Sequence, residues 1–462
     1  MSSCGASAIV TDEGDPSPGP TDAPDGSRAT RAPASIRSLL TCDGRARGYS
    51  SGMSTIVVVG ASLAGGRCVE QLRRRGFEGR IQLVGEEAPR PYERPPLSKK
   101  FLRGQMDEEK LYFRPLDFYA EREIELVLGA RATGLDADAR SVTLEDGRAL
   151  AYDQLVIATG AHVRRLPVPG AELEGVHYVR SLDDSRGLAA ELSAGRRAVV
   201  IGAGVIGAEV ASACREEGVE VVMLEAAELP LLRAFGPEIG KLYDAIHRDH
   251  GVDLRCGVKA TALHGRGPQG SGRVEAVETS DGARVDCDFV VIGVGVEPCV
   301  EWLEGSGVAL DRGVLVDDRC RTNVPGVFAA GDVTRWWSEP HGRHMSVESV
   351  DNAQTMASHI AENAVGADSV YAPVPFFWSD QYDLKLQIVG HVGAYDQVVI
   401  RGSLEDRKLT AFHLEGGKLR FAVGVNRLNE MGVSRKLISS GATVDPAKLA
   451  DEDVKGKALL PD

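Results

Sequence analysis

The chain has 462 residues, of which 43% are hydrophobic, 26% are charged and 53 are glycines. At roughly 100 to 200 residues per domain, this length suggests about three domains. The net charge of -14 argues against a nucleic-acid partner, because phosphate contacts need a basic surface. No segment reaches the roughly 18 consecutive apolar residues of a membrane span, so we expect no membrane insertion.

The eight cysteines form no Cys-x-x-Cys pair and no tight cluster, and no secretory leader is evident. This usage predicts free thiols in a cytoplasmic protein, most of them buried in apolar cores. We expect no metal site.

Residues 1–52 are rich in Ser, Gly and Pro and lack hydrophobic periodicity. This composition predicts a disordered tail. Met53 directly precedes the first predicted strand, so we hypothesise that the tail is upstream sequence.

Two segments repeat the same order of strand, glycine turn, helix and strand. The first begins at TIVVVG (55–60) and ends at RIQLVGEE (80–87), and the second begins at RAVVIGAG (197–204) and ends at VEVVMLEA (219–226). Each reads as the βαβ unit of a dinucleotide-binding fold.

Further strands frame the second unit. YDQLVIATG (152–160) ends the first strand system, and DFVVIGVG (288–295) and GVFAAGD (326–332) are expected to return to it. The second fold is therefore predicted to be inserted into the first.

From about Pro373 the pattern changes to short strands followed by a helix near 426–440, which predicts a separate α+β domain. The predicted strands are FFWSDQ (376–381), LKLQIVG (384–390), QVVIRG (397–402), LTAFHLE (409–415) and KLRFAVGV (418–425).

The first glycine turn contains Gly60, Ala64 and Gly65, with Ser62 in place of the usual middle glycine. Small residues between a strand and a helix let the backbone approach a pyrophosphate at the helix N-terminus. Glu86, 26 residues after Gly60, ends the second strand, where a carboxylate can accept the hydroxyls of an adenosine ribose.

The second turn matches the full Gly-x-Gly-x-x-Gly pattern of dinucleotide-binding folds at Gly202, Gly204 and Gly207. Glu225 follows 23 residues after Gly202. An acid at this position accepts the 2′-hydroxyl of NAD and repels the 2′-phosphate of NADP; NADPH remains an alternative. Two nested folds need two nucleotides, so we expect FAD in the outer fold and NADH in the inner one.

The chain resembles the FAD-dependent ferredoxin reductases of bacterial P450 and ring-hydroxylating oxygenase systems over residues 54–462. The motifs that carry this resemblance are GASLAG, VGEE, PYERPPLSK, IATG, GAGVIGAEV, VFAAGD, VESVDNA and FFWSDQYDLKLQIVG.

The resemblance implies an α/β architecture of two nested Rossmann-like, glutathione-reductase-like folds plus a C-terminal α+β domain. The expected segments are 53–163 with 293–372 for FAD, 164–292 for NAD, and 373–462 for the C-terminal domain. It further implies hydride transfer from NADH to FAD and single-electron transfer to a small [2Fe-2S] or similar ferredoxin, by a monomer or weak dimer.

The resemblance also assigns catalytic residues. Lys99 is expected near flavin N5, where a cation favours the arriving electron density; read locally, it is only a solvated lysine. Glu209 shares a helix face with Ile206 and Ala213, so its carboxylate points where apolar residues pack and needs a partner, which the family suggests is Lys99.

Further FAD contacts follow from the same resemblance. Asp332 is expected to accept from the ribityl hydroxyls, and Ala132, Arg180 and Val350 fall at other family positions. Many relatives carry tryptophan at position 350, so the flavin edge is expected to be more open here. Trp378 is expected near the flavin on the acceptor side, although a core aromatic is the alternative.

An acidic ferredoxin would need a local basic patch on this acidic protein. The candidates are Arg335, Arg343, Arg435 and Lys436.

Flavin disulfide reductases and NADH peroxidases need a cysteine beside the flavin, but residues 96–100 read Pro-Leu-Ser-Lys-Lys, and Cys68 and Cys214 lie on the helices after the two turns. An NADH-sensing flavoprotein like apoptosis-inducing factor, and a rubredoxin reductase, remain as alternatives. The nucleic-acid role of the former would want a broad basic surface.

Overall fold

The computed structural model describes residues 54–338 and 341–460. The predicted tail, residues 1–52, and the proposed start at Met53 lie outside the described residues. The helices of the described chain are α1 (Leu63–Arg74), α2 (Leu116–Glu121), α3 (Leu182–Ala189), α4 (Val205–Glu216), α5 (Leu232–Asp249), α6 (Val350–Ala364), α7 (Met431–Ser440) and α8 (Pro446–Ala450).

The outer sheet has five parallel strands. Their order is Val327–Ala329, Gln154–Ile157, Thr55–Val59, Arg80–Gly85 and Ile124–Leu128. The central strands are apolar along most of their length because both faces of a parallel sheet are covered. Helices α1 and α6 pack against each other beside this sheet.

The inner sheet also has five parallel strands. Their order is Val252–Cys256, Glu220–Glu225, Arg197–Ile201, Phe289–Ile292 and Val176–His177. The expectation that DFVVIGVG returns to the outer sheet is wrong, because Phe289–Ile292 pairs with Arg197–Ile201. A short, fully buried apolar run carries no mark of which sheet receives it.

A two-stranded ribbon joins the two folds. Ala161–Val163 leads into the inner fold and pairs antiparallel with Val296–Pro298, which leads out of it. GVFAAGD does return to the outer sheet. The predicted nesting of one dinucleotide-binding fold inside the other is therefore confirmed.

The C-terminal sheet is antiparallel. Its strand order is Phe376–Gln381, Leu384–Gly390, Lys418–Val425, Lys408–Glu415 and Gln397–Ser403, and the predicted strands match these bounds closely. One face forms a core with α5, and the other packs on α7. This sheet is thereby held against the inner fold.

Three smaller sheets complete the described chain. Their strands are Ala132–Asp136, Ser141–Leu144 and Ala149–Ala151; Ala260–Gly265, Val274–Thr279 and Arg284–Asp286; and Val314–Val316, Thr334–Ser338 and Arg343–Met345. Within residues 54–338 and 341–460, no helix has the length and apolar character needed to cross a membrane.

Candidate functional site

The outer glycine turn requires glycine at two positions. Gly60 has φ +118°, and a Cβ there would lie 2.0 Å from the Ala158 carbonyl oxygen; a Cβ on Gly65 would lie 1.9 Å from the Gly60 oxygen. The turn thus brings the first strand and α1 into direct backbone contact. It forms one wall of a cleft of about 730 Å³, a size typical of cofactor sites.

Ser62 occupies the N-cap position of α1, yet its side chain makes no capping hydrogen bond. Its Oγ instead accepts from Arg94 Nε at 3.1 Å. The N–H groups of the first turn of α1 are therefore left to an acceptor from outside the helix, and an anion is the group such a terminus favours.

Arg94 is held by a network that the sequence reasoning missed. Its Nη2 donates to Glu87 Oε1 at 2.5 Å, its Nη1 donates to the Arg180 carbonyl at 2.5 Å, and Tyr92 donates to Glu87 Oε2 at 2.5 Å. The available signal was the closeness of VGEE and PYER in the chain. Glu87, and not Glu86, balances the guanidinium charge.

Most of the predicted FAD contacts line one cleft. The predicted residues on its wall are Gly60, Ala64, Glu86, Ala132, Arg180, Asp332, Val350 and Trp378. Gly65 packs beneath the turn. Glu86 is exposed and lies 3.7 Å from Arg131, and Arg180 Nη2 lies 3.4 Å from Asp332 Oδ2.

Glu348 precedes the α6 N-cap and was not singled out from the sequence. Burial, and secondarily the nearby Asp332 carboxylate, raise the pKa of Glu348 to about 8, against the opposing charges of Arg180 and Arg164. This carboxyl is therefore protonated near neutral pH.

The inner glycine turn repeats the construction. Gly202 has φ +99°, and a Cβ there would lie 2.3 Å from the Gly293 oxygen; a Cβ on Gly207 would lie 1.9 Å from the Gly202 oxygen. Gly204 faces open space, so the turn is accessible at its middle residue. A phosphate could approach the backbone there.

Glu225 is anchored at the inner turn. Its Oε2 accepts from the Ala203 N–H at 2.7 Å, and its Oε1 accepts from the Ala227 N–H at 2.8 Å. Each carboxylate oxygen keeps a second lone pair. The fixed carboxylate can therefore still accept ribose hydroxyls.

Lys99 and Glu209 form an ion pair, the contact expected from the resemblance. Lys99 Nζ lies 2.6 Å from Glu209 Oε2. Ser98 donates to the same oxygen at 2.6 Å, and Ser379 donates to Oε1 at 2.5 Å. Burial raises the pKa of Glu209, while Lys99 and the two hydroxyls oppose this shift.

The pair does not line the main cleft. It lines an adjoining cavity of about 130 Å³, and the boundary runs through two consecutive prolines, because Pro95 lines the cleft and Pro96 the cavity. The expected closeness of Lys99 to the flavin stays a prediction.

Trp378 connects the cleft wall to the surface. Its ring stacks on Phe376 with centroids 5.6 Å apart, and the Arg435 guanidinium lies 5.5 Å from the Phe376 ring and 3.6 Å from the Asp351 carboxylate. Of the four candidate docking cations, Arg435 is thus next to the cleft.

The other docking candidates differ in exposure. Arg343 and Lys436 are exposed, whereas Arg335 is largely buried and pairs with Asp311. Arg335 is therefore poorly suited to contact a partner.

One cysteine lines the main cleft, which the sequence reasoning did not foresee. Cys299 Sγ lies 3.4 Å from His162 Nδ1, and burial raises the pKa of Cys299 to about 11. The group is a thiol at neutral pH, not a nucleophilic thiolate. Among the described residues, no second cysteine lines this cleft, so the geometry does not supply a dithiol.

Comparison with known proteins gives the family. Residues 54–357 match the family model of pyridine nucleotide-disulphide oxidoreductases, and residues 376–460 match that of the reductase C-terminal domain. The chain belongs to the pyridine nucleotide-disulphide oxidoreductases and carries a reductase C-terminal domain.

Among curated proteins, the chain is 36% identical to putidaredoxin reductase CamA of Pseudomonas putida, over 88% of this chain and 96% of that one. It is 39% identical to the ferredoxin–NAD(+) reductase component of the anthranilate 1,2-dioxygenase system of Burkholderia cepacia, over 87% and 98%.

Among solved structures, it matches the covalent putidaredoxin reductase–putidaredoxin complex with a TM-score of 0.84 at 36% identity, over 87% of this chain and 96% of that one. The resemblance inferred from the motifs is confirmed.

The protein is accordingly an oxidoreductase, and the predicted cofactors, FAD and NADH, are those of its family. The residues present fit them. The outer cleft offers an uncapped helix N-terminus, a glycine turn and the partly buried Arg94 for a pyrophosphate, and the inner turn offers an open glycine beside a fixed carboxylate.

Proposed function

We propose that this protein is an NADH:ferredoxin reductase that supplies a cytochrome P450 or a ring-hydroxylating oxygenase. The observation that carries the proposal is the similarity to ferredoxin reductases over 85–88% of the chain, C-terminal domain included. Each NADH provides two electrons, so two molecules of a one-electron ferredoxin are reduced per NADH.

In this proposal FAD occupies the outer fold, residues 53–163 and 293–372, and NADH the inner fold, residues 164–292. Arg94 and the α1 N-terminus receive the FAD pyrophosphate, and Asp332 the ribityl chain. These assignments are supported by the cleft that brings the three together.

Glu225 sets the nucleotide preference. Two backbone N–H groups hold its carboxylate beside the inner turn, so a 2′-phosphate would meet a fixed negative charge. We therefore assign NADH and not NADPH as the preferred donor.

Bound FAD would supply the redox chemistry, namely acceptance of a hydride from NADH and release of single electrons to the acceptor. Lys99 contributes a cation beside the cleft, and Glu209 fixes its position through the ion pair. The chain supplies alignment and charge, since the described part of the cleft wall holds no dithiol.

We assign electron exit to the face formed by Val350, Trp378 and Arg435, residues 373–462 contributing most of it. The acceptor is a small acidic [2Fe-2S] or similar ferredoxin, bound transiently to a monomer or weak dimer. Support comes from the Trp378–Phe376 stack and from the cation beside it.

The test is steady-state oxidation of NADH and NADPH with three acceptors: ferricyanide, a purified [2Fe-2S] ferredoxin, and cytochrome c reduced through that ferredoxin. We expect NADH to be favoured and the ferredoxin to accelerate cytochrome c reduction strongly. If several [2Fe-2S] ferredoxins give no acceleration over the enzyme alone while ferricyanide is reduced, the acceptor assignment is wrong.

A further inference from the structure

The Glu209 carboxylate is contacted by three parts of the chain. It projects from α4 of the inner fold, Ser98 and Lys99 reach it from the outer fold, and Ser379 reaches it from the C-terminal strand Phe376–Gln381. The contacts divide between its oxygens: Lys99 and Ser98 are on Oε2, and Ser379 is on Oε1.

Ser379 is itself oriented. Its side chain is fully buried, and its Oγ accepts from Gln381 Nε2 at 3.4 Å. Because a hydroxyl that accepts one hydrogen bond directs its own proton elsewhere, the Ser379 proton points to Glu209 at 2.5 Å. Such a chain of hydrogen bonds strengthens each member in a low-dielectric interior.

We propose that Ser379 is a positioning residue for the Lys99–Glu209 pair, through which the docked C-terminal domain fixes the rotation of the Glu209 carboxylate and keeps it ionised. This rests on the proposed function, in which the pair serves hydride transfer. Without a donor on Oε1, the carboxylate is free to turn away from Lys99 and to bind a proton.

A proton could reach Glu209 through the adjoining cavity. Its volume of about 130 Å³ is enough to hold water, and Glu209 is among the residues that line it. Burial is the dominant influence on Glu209 and raises its pKa, so losing a donor to the charged form moves the pKa further up.

Other ionisable side chains lie near the Lys99–Glu209 pair. Tyr243 of α5 stays neutral, because burial, and secondarily the charges of Asp380 and Glu209, raise its pKa. The ionisable side chains lining the cavity are Lys99, Lys100, Arg103, Glu209, Glu216, Asp380 and Tyr382.

The experiment compares Ser379→Ala with the matched control Ser98→Ala. Both remove one hydroxyl donor to Glu209, but Ser98→Ala leaves Lys99 on the same oxygen. Two quantities are measured from pH 5 to 9: the rate of flavin reduction by NADH in stopped flow, and the visible flavin absorbance without NADH.

We expect Ser379→Ala to raise the apparent pKa of the acid limb of the rate by about one pH unit, so that the rate at the low-pH end falls about tenfold while the alkaline rate stays near wild type. The flavin absorbance should titrate over the same range. Ser98→Ala should shift the limb by less than half as much. Ser379→Cys keeps a weak S–H donor of similar size, so its apparent pKa for the acid limb should lie between those of wild type and Ser379→Ala. This variant keeps the test informative if Ser379→Ala misfolds.

Identical pH profiles for wild type, Ser379→Ala and Ser98→Ala would overturn the proposal, as would a pH-independent loss of rate. The proposed function fails differently, because the wild-type flavin would then not be reduced by NADH at all.

Discussion

Arg94 donates one hydrogen bond to the hydroxyl of Ser62, the N-cap residue of α1 in the outer glycine turn. Serine at an N-cap ordinarily bonds the N–H groups of the first helical turn, and at Ser62 the guanidinium holds the hydroxyl instead. The first-turn N–H groups stay open as a consequence, which suits a pyrophosphate site. The same arginine lines the cleft wall, where Glu87 balances its charge.

We predict that Arg94→Gln weakens FAD binding by about 10- to 100-fold, the worth of lost charge-assisted bonds. In that background, Ser62→Ala should recover part of the affinity, because the freed hydroxyl no longer competes for the helix N-terminus. FAD dissociation constants from flavin fluorescence for the four proteins of this cycle measure the effect. Equal losses from Ser62→Ala in both backgrounds would contradict it.

Replacing Glu225 should change the nucleotide preference. We predict that Glu225→Ala narrows the ratio of kcat/KM for NADH over NADPH by about 10- to 100-fold, since it removes a charge-assisted bond to one nucleotide and a repulsion toward the other. The exposed Glu220 at the start of the same strand gives the control variant Glu220→Ala, which should leave the ratio unchanged. An unaltered ratio in Glu225→Ala would refute the assignment.

The residues that the sequence revealed are those with fixed spacing from a glycine turn. Gly202, Gly204 and Glu225 were predicted in this way, because a strand-turn-helix unit fixes where they lie; their contacts with a nucleotide stay a prediction. The closeness of VGEE and PYER could have indicated the Arg94–Glu87 pair, but the Arg94–Ser62 and Ser379–Glu209 contacts span 32 and 170 residues and were missed. Such contacts depend on how separately folded elements pack, which no local pattern encodes.

At the scale of elements, α5 and the C-terminal sheet share an interface that contains buried histidines. His247 lies on α5, and His413 lies on the strand Lys408–Glu415, stacked on Phe421 with centroids 3.9 Å apart. Burial is the main cause that lowers the pKa of each histidine to about 4. Both are neutral in the folded protein above that pH.

This interface should weaken in acid. The folded pKa of about 4 lies below the ordinary 6.5, so the unfolded state binds more protons between these values. The stabilisation is complete above about pH 6.5 and is lost as the pH falls toward 4, by at most about 3 kcal/mol per histidine. Melting temperatures measured across this range should fall.

A variant isolates the histidine contribution. Glu348 has a raised pKa of about 8 and therefore acts in the opposite sense. Its contribution to stability is complete below about pH 4.5 and is lost as the pH rises through 8. His413→Phe removes one titrating group without touching Glu348, so its melting temperature should fall less steeply between pH 6.5 and 4. Parallel curves for the two proteins would count against the interface as the acid-sensitive element.

Strand positions were more predictable than strand partners. Short runs rich in β-branched and aromatic residues located the five C-terminal strands almost to the residue, although α5 and α7 cover the two faces of that sheet. The buried run Phe289–Ile292 was assigned to the wrong sheet, since both parallel sheets accept such a run.

The net charge of -14 opposes the acidic ferredoxin proposed as the acceptor. If the acceptor is the acidic ferredoxin proposed above, docking depends on local cations near the proposed electron exit. Arg435 meets this need: it is half-exposed, lies over Phe376 and borders the cleft through Trp378. The rest of this acidic protein surface would repel an acidic partner. Docking at the one face that carries the cation is favoured as a result.

The resulting prediction concerns salt. Reduction of an acidic ferredoxin should slow as the salt concentration rises from about 0.05 to 1 M, because the screening length falls from above 10 Å to about 3 Å. The rate of ferricyanide reduction should fall much less, because it needs no docked protein. Arg435→Gln should lower the rate of ferredoxin reduction at low salt by roughly fivefold, which corresponds to about 1 kcal/mol, and should flatten the salt dependence.

Arg197→Gln is the matched control, since Arg197 is 48% exposed against 45% for Arg435 and lies on the inner sheet. It changes the net charge equally and should leave the salt dependence of both acceptor rates near wild type. If the two variants slow ferredoxin reduction alike, the effect belongs to net charge and the docking face is not at Arg435.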